Sequence, residues 1–564
     1  MRHVARAWSE TPPEQQRVAA IADFALAALT AFDEARHPVA TRAGSGTLLQ
    51  PETELARSAG LAAVPLPMAE ALHWLTSLYS GLLPTEMRSR LGAFYTPPAL
   101  ATRLLDQAEE AGVEWRTARV LDPAAGGGAF LVEAAVRMRA ALADCAPALI
   151  LAQIGARLKG IEIDPHAARI GQRAIEIALA DLAAEAKRPV PQIITQGDGL
   201  TVTPVPVYDL VVGNPPYGRV SLSPGDRVRF ARGLYGHANL YGVFTDLALQ
   251  WTRKGGLIAF LTPTSVLSGQ YFSALRTLLA QEAPPVAIDF VHARSGVFDD
   301  VQQETMLAVY RKDAVPGRTQ IHYIHVDSPT NTRIVRNGTI ALPKHAAAPW
   351  LAPRRVEHGP LIAAAEVMPA RLADLGYRVA TGPLVWNRHK AQLRDKPTGK
   401  KTHPLIWSEA VGTDGSFRFR ADKKNHRPFF ALEPGDDWLL VDKAAILVQR
   451  TTAKEQRRRI IAAELPASFV DVHGGVVVEN HLNMIVPVGS PKVSPGVLAC
   501  LLNSEIVDQL FRCISGSVAV SAFELEALPL PSAGDLAPLA RALAKRLDRV
   551  ALDNICAGLY DVSS

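Results

Sequence analysis

Residues 209–217 read Asp-Leu-Val-Val-Gly-Asn-Pro-Pro-Tyr, and no other stretch limits the fold as tightly. Leu210, Val211 and Val212 make a short apolar run of the buried-strand type, ended by Gly213. Pro215 and Pro216 forbid both helix and ladder pairing, so the chain leaves the sheet stiffly. Asn214 and Tyr217 are thereby held at the carboxyl end of a strand, where open α/β sheets bind their ligands. Asn is the side chain whose amide can both donate to and accept from an adenine edge. The Pro215 carbonyl can accept as well, and Tyr217 offers a flat face for stacking. The plain alternative for Asn-Pro-Pro is a proline-rich turn after a strand. The tyrosine and the apolar run weigh against it.

With 564 residues the chain is long enough for two or three domains. It is 48% hydrophobic and 20% charged, which fits globular rather than disordered protein. A formal charge of only +5 gives no global basic field, so local clusters must carry any case for nucleic acid. Cys145, Cys500, Cys513 and Cys556 show no paired metal spacing, and their use suits a reducing cytosol. No apolar segment follows Met1–Arg6, and no uncharged apolar run reaches about 18 residues, so neither a secretory signal nor a membrane span is expected.

Residues 14–36 and 67–90 carry helical spacing and predict a small helical segment ahead of the first chemical motif. From about 91 to 313, strand-like and helix-like segments alternate. Strands are expected at 119–122, 159–164, 193–196, 210–213, 256–261 and 287–291, a rhythm that implies a parallel sheet with crossover helices. After about 315, short strands, turns and basic clusters replace it, so a boundary falls near 330–370.

Four further motifs sit at strand ends or helix starts. Val120–Leu131 reads as strand, glycine turn and helix, and the glycines let backbone approach a ligand closely. It departs from Gly-x-Gly-x-x-Gly because Leu131 stands where the third glycine belongs, which weakens a dinucleotide reading. Asp122 just before the glycines suits a cationic ligand. Gly160–Asp164 ends a strand in acids, and Glu162 could accept both hydroxyls of a ribose, or simply be solvated. Asp198 in Gln196–Gly199 could accept from an adenine amino group, although Asp-Gly is also an ordinary turn. Gly92–Pro98 could wrap the amino-acid end of a cofactor, or merely start a helix at proline.

Taken together these residues resemble the gamma-class adenine-N6 DNA methyltransferases of restriction–modification type, the TaqI-like enzymes. The order is theirs: Tyr95-Thr96-Pro97, the loop Asp122–Phe130, the acids of 160–164, Asn214–Tyr217, then a C-terminal target-recognition domain. The likeness continues through Asn239–Phe244, Gly255–Pro263 and Gly296–Phe298 to Tyr310. It is looser at Leu501–Ser504 and Leu528–Pro531. The cofactor loop departs from the simplest Asp-Pro-x-x-Gly-x-Gly pattern only by Gly127.

The resemblance implies an α/β, Rossmann-like sheet that uses S-adenosyl-L-methionine. It implies a helical segment at 1–90, a catalytic domain at 91–330 and a mixed α+β recognition domain at 331–564. It assigns Asn214, Pro215, Pro216 and Tyr217 to the target adenine, with Tyr310 and Phe272 as further active-site aromatics. Around the cofactor it places Tyr95, Thr96, Asp122, Ala124, Gly126, Gly128, Phe130, Glu162, Ile163, Asp198 and Gly199, with Asn214 shared. No metal is required. The implied partner is double-stranded DNA, bound by a monomeric cytoplasmic protein that works beside a separately encoded restriction endonuclease.

Residues 386–427 hold eleven Lys/Arg against four Asp/Glu, with Trp386, Trp407, Phe417 and Phe419 interleaved. Arg450–Arg459 adds a second cluster. Such clusters are usually solvated faces; beside a methyltransferase core, DNA contact is the better reading. The DNA candidates are Arg388, Lys390, Lys400, Lys401, Lys423, Lys424, Arg450 and Arg457. His389, His426 and His481 lack metal spacing. Three alternatives stay open: a methyltransferase of RNA or of a protein amide, a non-catalytic DNA-specificity subunit, and a fused restriction–modification enzyme. No Asp…Glu-x-Lys nuclease strand is evident, which weighs against the last.

Overall fold

Strand β1 (Val120–Asp122) is buried along its whole length, which only the middle of a sheet covered on both faces allows. A computed structural model describes residues 2–38, 51–92, 95–292, 304–328, 331–399, 401–452, 456–514 and 519–561. They form two compact units, 1–266 with 274–342, and 267–273 with 343–564.

The first unit is built on a nine-stranded sheet. Its strands are β1, β2 (Leu158–Glu162), β3 (Ile194–Gln196), β4 (Tyr208–Gly213), β7 (Thr252–Pro263), β8 (Pro285–His292), β9 (Thr305–Arg311), β10 (Thr319–Ser328) and β11 (Asn331–Ile340). Strands β5 (Arg219–Val220) and β6 (Ala238–Asn239) make a separate small antiparallel pair. The sheet order is β11-β10-β8-β9-β7-β4-β1-β2-β3. From β3 to β7 all neighbours are parallel, and β9 runs antiparallel to both β7 and β8. The six strands expected from the sequence are all present, within a few residues.

Helices α1 (Arg2–Ser9), α2 (Glu14–Arg36), α3 (Pro51–Ala63), α4 (Met68–Leu82) and α5 (Thr85–Leu91) precede the sheet. They are followed by α6 (Pro98–Glu110), α7 (Ala129–Ala141), α8 (Pro147–Arg157) and α9 (Pro165–Ala178). The helical segment at 1–90 packs directly on the sheet-bearing part of the first unit. Phe24, Leu29, Phe32, Leu75 and Tyr79 share one apolar core with Ala167, Ile170, Ala174 and Ile177 of α9. Asp33 on α2 also pairs with Arg173 on α9 at 2.7 Å. Helix α3 crosses α2 so closely that a Cβ at Gly60 would stand 2.3 Å from the Ala28 carbonyl.

The boundary expected at 330 also moves. It would cut the antiparallel hairpin of β10 and β11, which completes the sheet as far as Ile340. An antiparallel hairpin has no crossover helix, so a reading based on parallel βα rhythm does not include it. Inside the sheet, Asp289 on β8 is fully buried and accepts from Arg103 on α6 at 2.7 Å and from His322 on β10 at 2.8 Å. That pairing pins α6, and with it the Thr96-Pro97 turn that leads into it.

The second unit is mixed. A four-stranded antiparallel sheet runs in the order Tyr377–Thr381, Leu482–Pro487, Ala445–Gln449, Ala462–Leu465. A five-stranded sheet includes Thr402–Ile406, Phe429–Ala431 and Val476–Val478, and helices close the chain at Ala537–Ala544 and Arg549–Gly558. Among the described residues no helix is long and apolar enough to cross a membrane.

Candidate active site

Gly213 ends β4 beside β1, and a Cβ there would meet the Asp122 carboxylate at 2.8 Å. The bare backbone lets the two parallel strands deliver Asn214 and the glycine loop to the same carboxyl edge. A cavity of about 380 Å³ opens at that edge, a size ordinary for a small-molecule site. Asn214, Pro216 and Tyr217 line it, as do Tyr95, Thr96, Ala124, Gly126 and Phe130. So do Glu162, Ile163, Asp198 and Gly199.

Asn214 donates through Nδ2 to Thr96 Oγ1 at 3.2 Å, joining two motifs 118 residues apart. Tyr217 meets Tyr241 edge to face, with ring centroids 5.8 Å apart. Burial raises the Tyr217 phenol far above its usual range, so it stays uncharged. Pro216 packs under Gly92, which has φ +62° and no room for a Cβ, since one would stand 2.9 Å from the Pro216 Cβ.

The extra glycine of the loop has a steric reason. A Cβ on Gly127 would stand 2.7 Å from the Tyr95 ring and 3.3 Å from the Thr76 Cβ. Tyr95 therefore lies across Gly126 and Gly127. Its hydroxyl is buried with no hydrogen-bond partner among the described residues. Burial, together with the charges of Glu162 and Asp164, holds that phenol well above its ordinary value.

Glu162 does more than face the cavity. Its Oε2 accepts from the Gly126 amide at 2.8 Å and its Oε1 from the Asp164 amide at 2.9 Å. It thus clips the glycine loop to the end of β2. Burial raises its carboxyl in spite of those two amides. Asp164 accepts from Tyr79 on α4 at 2.5 Å and caps α9 through the His166 amide at 2.9 Å. Asp198 Oδ1 accepts from the Leu200 amide at 2.9 Å, shaping a turn in which Gly199 packs against the Pro123 carbonyl and Phe244.

Several expected contacts fall elsewhere. Asp122 is fully buried behind the wall, where its Oδ1 braces the Ala124 amide at 3.1 Å and its Oδ2 has no partner among the described residues. Burial, partly offset by that amide and reinforced by Glu162, pushes its carboxyl up to about 8. Gly128, at φ +79°, serves close packing of α7 on Gly171 of α9, where a Cβ would meet the Gly171 carbonyl at 3.1 Å. Pro215 is buried and does not line the cavity.

Tyr310 lies within the sheet, paired with Ile258 and level with Val211, well back from the carboxyl edge; it is a core residue. Phe272 belongs to the 267–273 segment of the second unit and does not line the cavity. The Gly296–Phe298 segment is outside the described residues.

His73 and Thr76 on α4, Arg90 and Leu91 on α5, Asp164, and Leu240 and Phe244 line the cavity unannounced by any motif. Only the helical spacing of His73, Thr76 and Tyr79 hinted at a shared face. Burial pushes the His73 imidazole down to about 4, leaving it neutral.

The sequence pattern of the family described as Eco57I restriction-modification methylase matches residues 157–298, across β2 to β8 and the Asn214 motif. Over these residues the chain is similar to restriction–modification DNA methyltransferases. It is 29% identical over 346 residues to the type II methyltransferase M.BsuBI of Bacillus subtilis, spanning 60% of this chain and 68% of that one. M.PstI of Providencia stuartii is 26% identical over 347 residues, spanning 59% and 67%. The fold is also that of the type IIL restriction-modification enzyme MmeI, solved with DNA, at a TM-score of 0.50 and 13% identity over 96% of this chain and 88% of that one.

Methyltransferases of this family use S-adenosyl-L-methionine, and the cavity fits it. A glycine loop that a Cβ would obstruct lies beside Glu162 and Asp164, with Asp122 behind. Carboxylates held by amides and a phenol rather than by cations suit a positively charged sulfonium. His73, being neutral, adds no repulsion.

In the second unit, Arg388, Lys390, Lys401, Lys423, Lys424 and Arg457 are exposed, and Arg450 is half-buried with its guanidinium on the Asn480 carbonyl at 3.1 Å. Lys400 lies outside the described residues. Arg459 is a core residue beside Phe511, and Arg458 is tied to the Asn503 carbonyl, so neither is a surface cation. The interleaved aromatics are structural: Trp407 is fully buried, and Phe417 and Phe419 pack on Phe469. Among the described residues no group of three His, Cys, Asp or Glu is placed to hold a metal ion.

Proposed function

We propose that this methyltransferase modifies N6 of adenine in duplex DNA, with the base rotated out of the helix into the Asn214 edge of the cavity. The observation that carries the reading is the Asn214–Thr96 hydrogen bond at 3.2 Å beside Tyr217, on the rim of the cofactor cavity. Thr96 takes an N–H of the Asn214 amide and thereby orients its carbonyl oxygen to accept an N6 proton. Bound S-adenosyl-L-methionine supplies an electrophilic methyl group on sulfur. The Asn214 carbonyl oxygen accepts an N6 proton, which draws the nitrogen lone pair out of ring conjugation. The rate then comes mainly from positioning and from stabilising the charge that develops on N6.

Rotating the base out costs a few kcal/mol, and stacking on Tyr217 returns about 1–3 kcal/mol. The exposed cations of the second unit supply phosphate contacts. The enzyme is read as a monomer, the modification half of a system whose endonuclease is encoded separately.

The test is incorporation of labelled methyl into duplex DNA, with product nucleosides identified by mass. N6-methyladenine is expected. Label on N4 of cytosine, in RNA or on protein would overturn the adenine assignment.

A further inference from the structure

The second unit contains an open concavity of about 750 Å³, rimmed by Arg418, Arg420 and Lys423, with Glu409, Glu479 and His481 among its walls. Of the three acids in its lining, Asp414 pairs with Arg418 at 3.2 Å, but the Glu409 and Glu479 carboxylates meet no Lys or Arg side chain among the described residues and call for an explanation, because phosphates repel them. Glu479 is 1% exposed, and both of its oxygens are committed to one neighbour. Oε2 accepts from the His481 amide at 2.8 Å, and Oε1 lies 2.7 Å from His481 Nδ1. The His481 side chain itself is 59% exposed.

The turn that carries this pair is braced on every side. The Glu479 amide donates to the Ile406 carbonyl, Asn480 to Leu384, and Arg450 to His481. A Cβ on Gly382 would stand 2.2 Å from the Glu479 carbonyl, so the neighbouring backbone lies directly against it. Across the concavity Glu409 holds His426 Nδ1 at 2.6 Å, and the His426 ring stacks flat on buried Trp407, 3.7 Å away at 8°.

A buried carboxylate is expensive unless fully hydrogen-bonded, and an exposed histidine needs no such support to stay folded. The arrangement makes sense as a device for direction. With Glu479 on Nδ1–H, the ring presents only Nε2 to the concavity. Flexible Arg and Lys side chains suffice to follow phosphates, whereas reading a base requires a polar atom held at a set position and angle.

We propose that His481, oriented by Glu479, reads one base pair of the DNA sequence recognised by this enzyme. In the neutral ring Nε2 accepts from an exocyclic amine, adenine N6 or cytosine N4. In the protonated ring it donates to guanine N7 or O6. Glu479 is a positioning residue, and Arg418, Arg420 and Lys423 hold the flanking phosphates. The proposal rests on the reading that the chain methylates duplex DNA.

The experiment compares the full-length chain with His481→Ala, His481→Asn and Glu479→Gln on a pool of random duplex sequences, with modified bases mapped by sequencing. The wild type should mark a defined sequence. His481→Ala should lower kcat/KM at that sequence about tenfold or more and relax the preference at one position. Cofactor affinity and binding to unrelated DNA should be unchanged. Because His481 is exposed, its replacement leaves the core intact, which a melting curve checks; Glu479→Gln should reproduce the relaxed preference more weakly. An unaltered preference and rate in His481→Ala would overturn the proposal, as would an equal loss on all sequences, which marks a phosphate contact. A wild type that marks no DNA at all would instead overturn the proposed function itself.

Discussion

Tyr79 on α4 donates a 2.5 Å hydrogen bond to Asp164, which lies two residues beyond the end of β2 and caps α9. Asp164 is 7% exposed and reinforces the acid wall of the cavity through its amide on Glu162. The N-terminal helices thus brace the wall of the cavity, and Tyr79→Phe tests whether that wall holds the cofactor. Leaving a buried carboxylate short of one donor costs about 1–3 kcal/mol. Cofactor affinity should fall several-fold with the fold intact. Calorimetric affinity equal to wild type would show that the contact only supports packing.

Gly127→Ala should be more damaging than its size suggests. The new Cβ would meet the Tyr95 ring at 2.7 Å and force it off the loop. Overpacking of this kind costs about 1–3 kcal/mol. In a Tyr95→Ala background the same change should cost much less, because the collision is gone. Equal effects in both backgrounds, measured as cofactor affinity, would refute the steric account.

Asn214→Ala should reduce methyl transfer to DNA at least a thousandfold while leaving cofactor binding and melting temperature near wild type, because Asn214 lies beyond the end of β4. Tyr217→Phe should retain most of the rate, since its hydroxyl makes only a 3.5 Å contact with the Leu261 carbonyl. Thr96→Val should fall between the two, lowering kcat more than it changes cofactor affinity. Wild-type turnover in Asn214→Ala would remove this residue from the chemistry.

Stability should depend on pH through Asp122. Its folded carboxyl is pushed up to about 8, while an unfolded one titrates at about 3.9. Between those values the folded state holds a proton that the unfolded state has released, so stability falls as pH rises and levels off above about 8. Glu162, also raised, adds to the same slope. His73, lowered to about 4, acts only below its ordinary value of 6.5, with the opposite sign. Without cofactor, the protein should melt lower at pH 8 than at pH 6.5, and Asp122→Asn should flatten much of that difference. Parallel melting curves for the two proteins would refute the assignment.

DNA affinity should fall steeply with salt. Neutralising Lys401, Lys423 and Lys424 together should reduce the slope of log affinity against log salt by up to about 0.9 per lost phosphate contact. Cofactor binding should not change. A slope that stays the same would make these lysines solvent-facing only.

The βα rhythm, the strand ending at Gly213 and the glycine turn after β1 were legible because each is a short-range pattern, set by sterics over a few residues. So were Asn214, Tyr217 and Glu162 as residues of one edge, since strand ends of a parallel sheet gather there. Tyr310 was misread because spacing along the chain says nothing about depth in a sheet; register with Ile258 places it in the core. The aromatics interleaved with the basic residues of 386–427 show the same limit: composition does not say which of them is core, and Trp407 is buried under His426.

What the sequence alone determined is therefore local: which segments become strands, where backbone must turn, and which polar groups stand at strand ends. Only the tertiary structure decided that Asn214 meets Thr96 across 118 residues. It alone decided that Tyr79 meets Asp164 across 85 residues, and that Tyr95 lies on Gly127. Local sterics act over one or two turns of chain, whereas these partnerships follow from strand order and from how helix faces share a core. Burial against the whole unit selects those, and no short stretch of sequence carries that information.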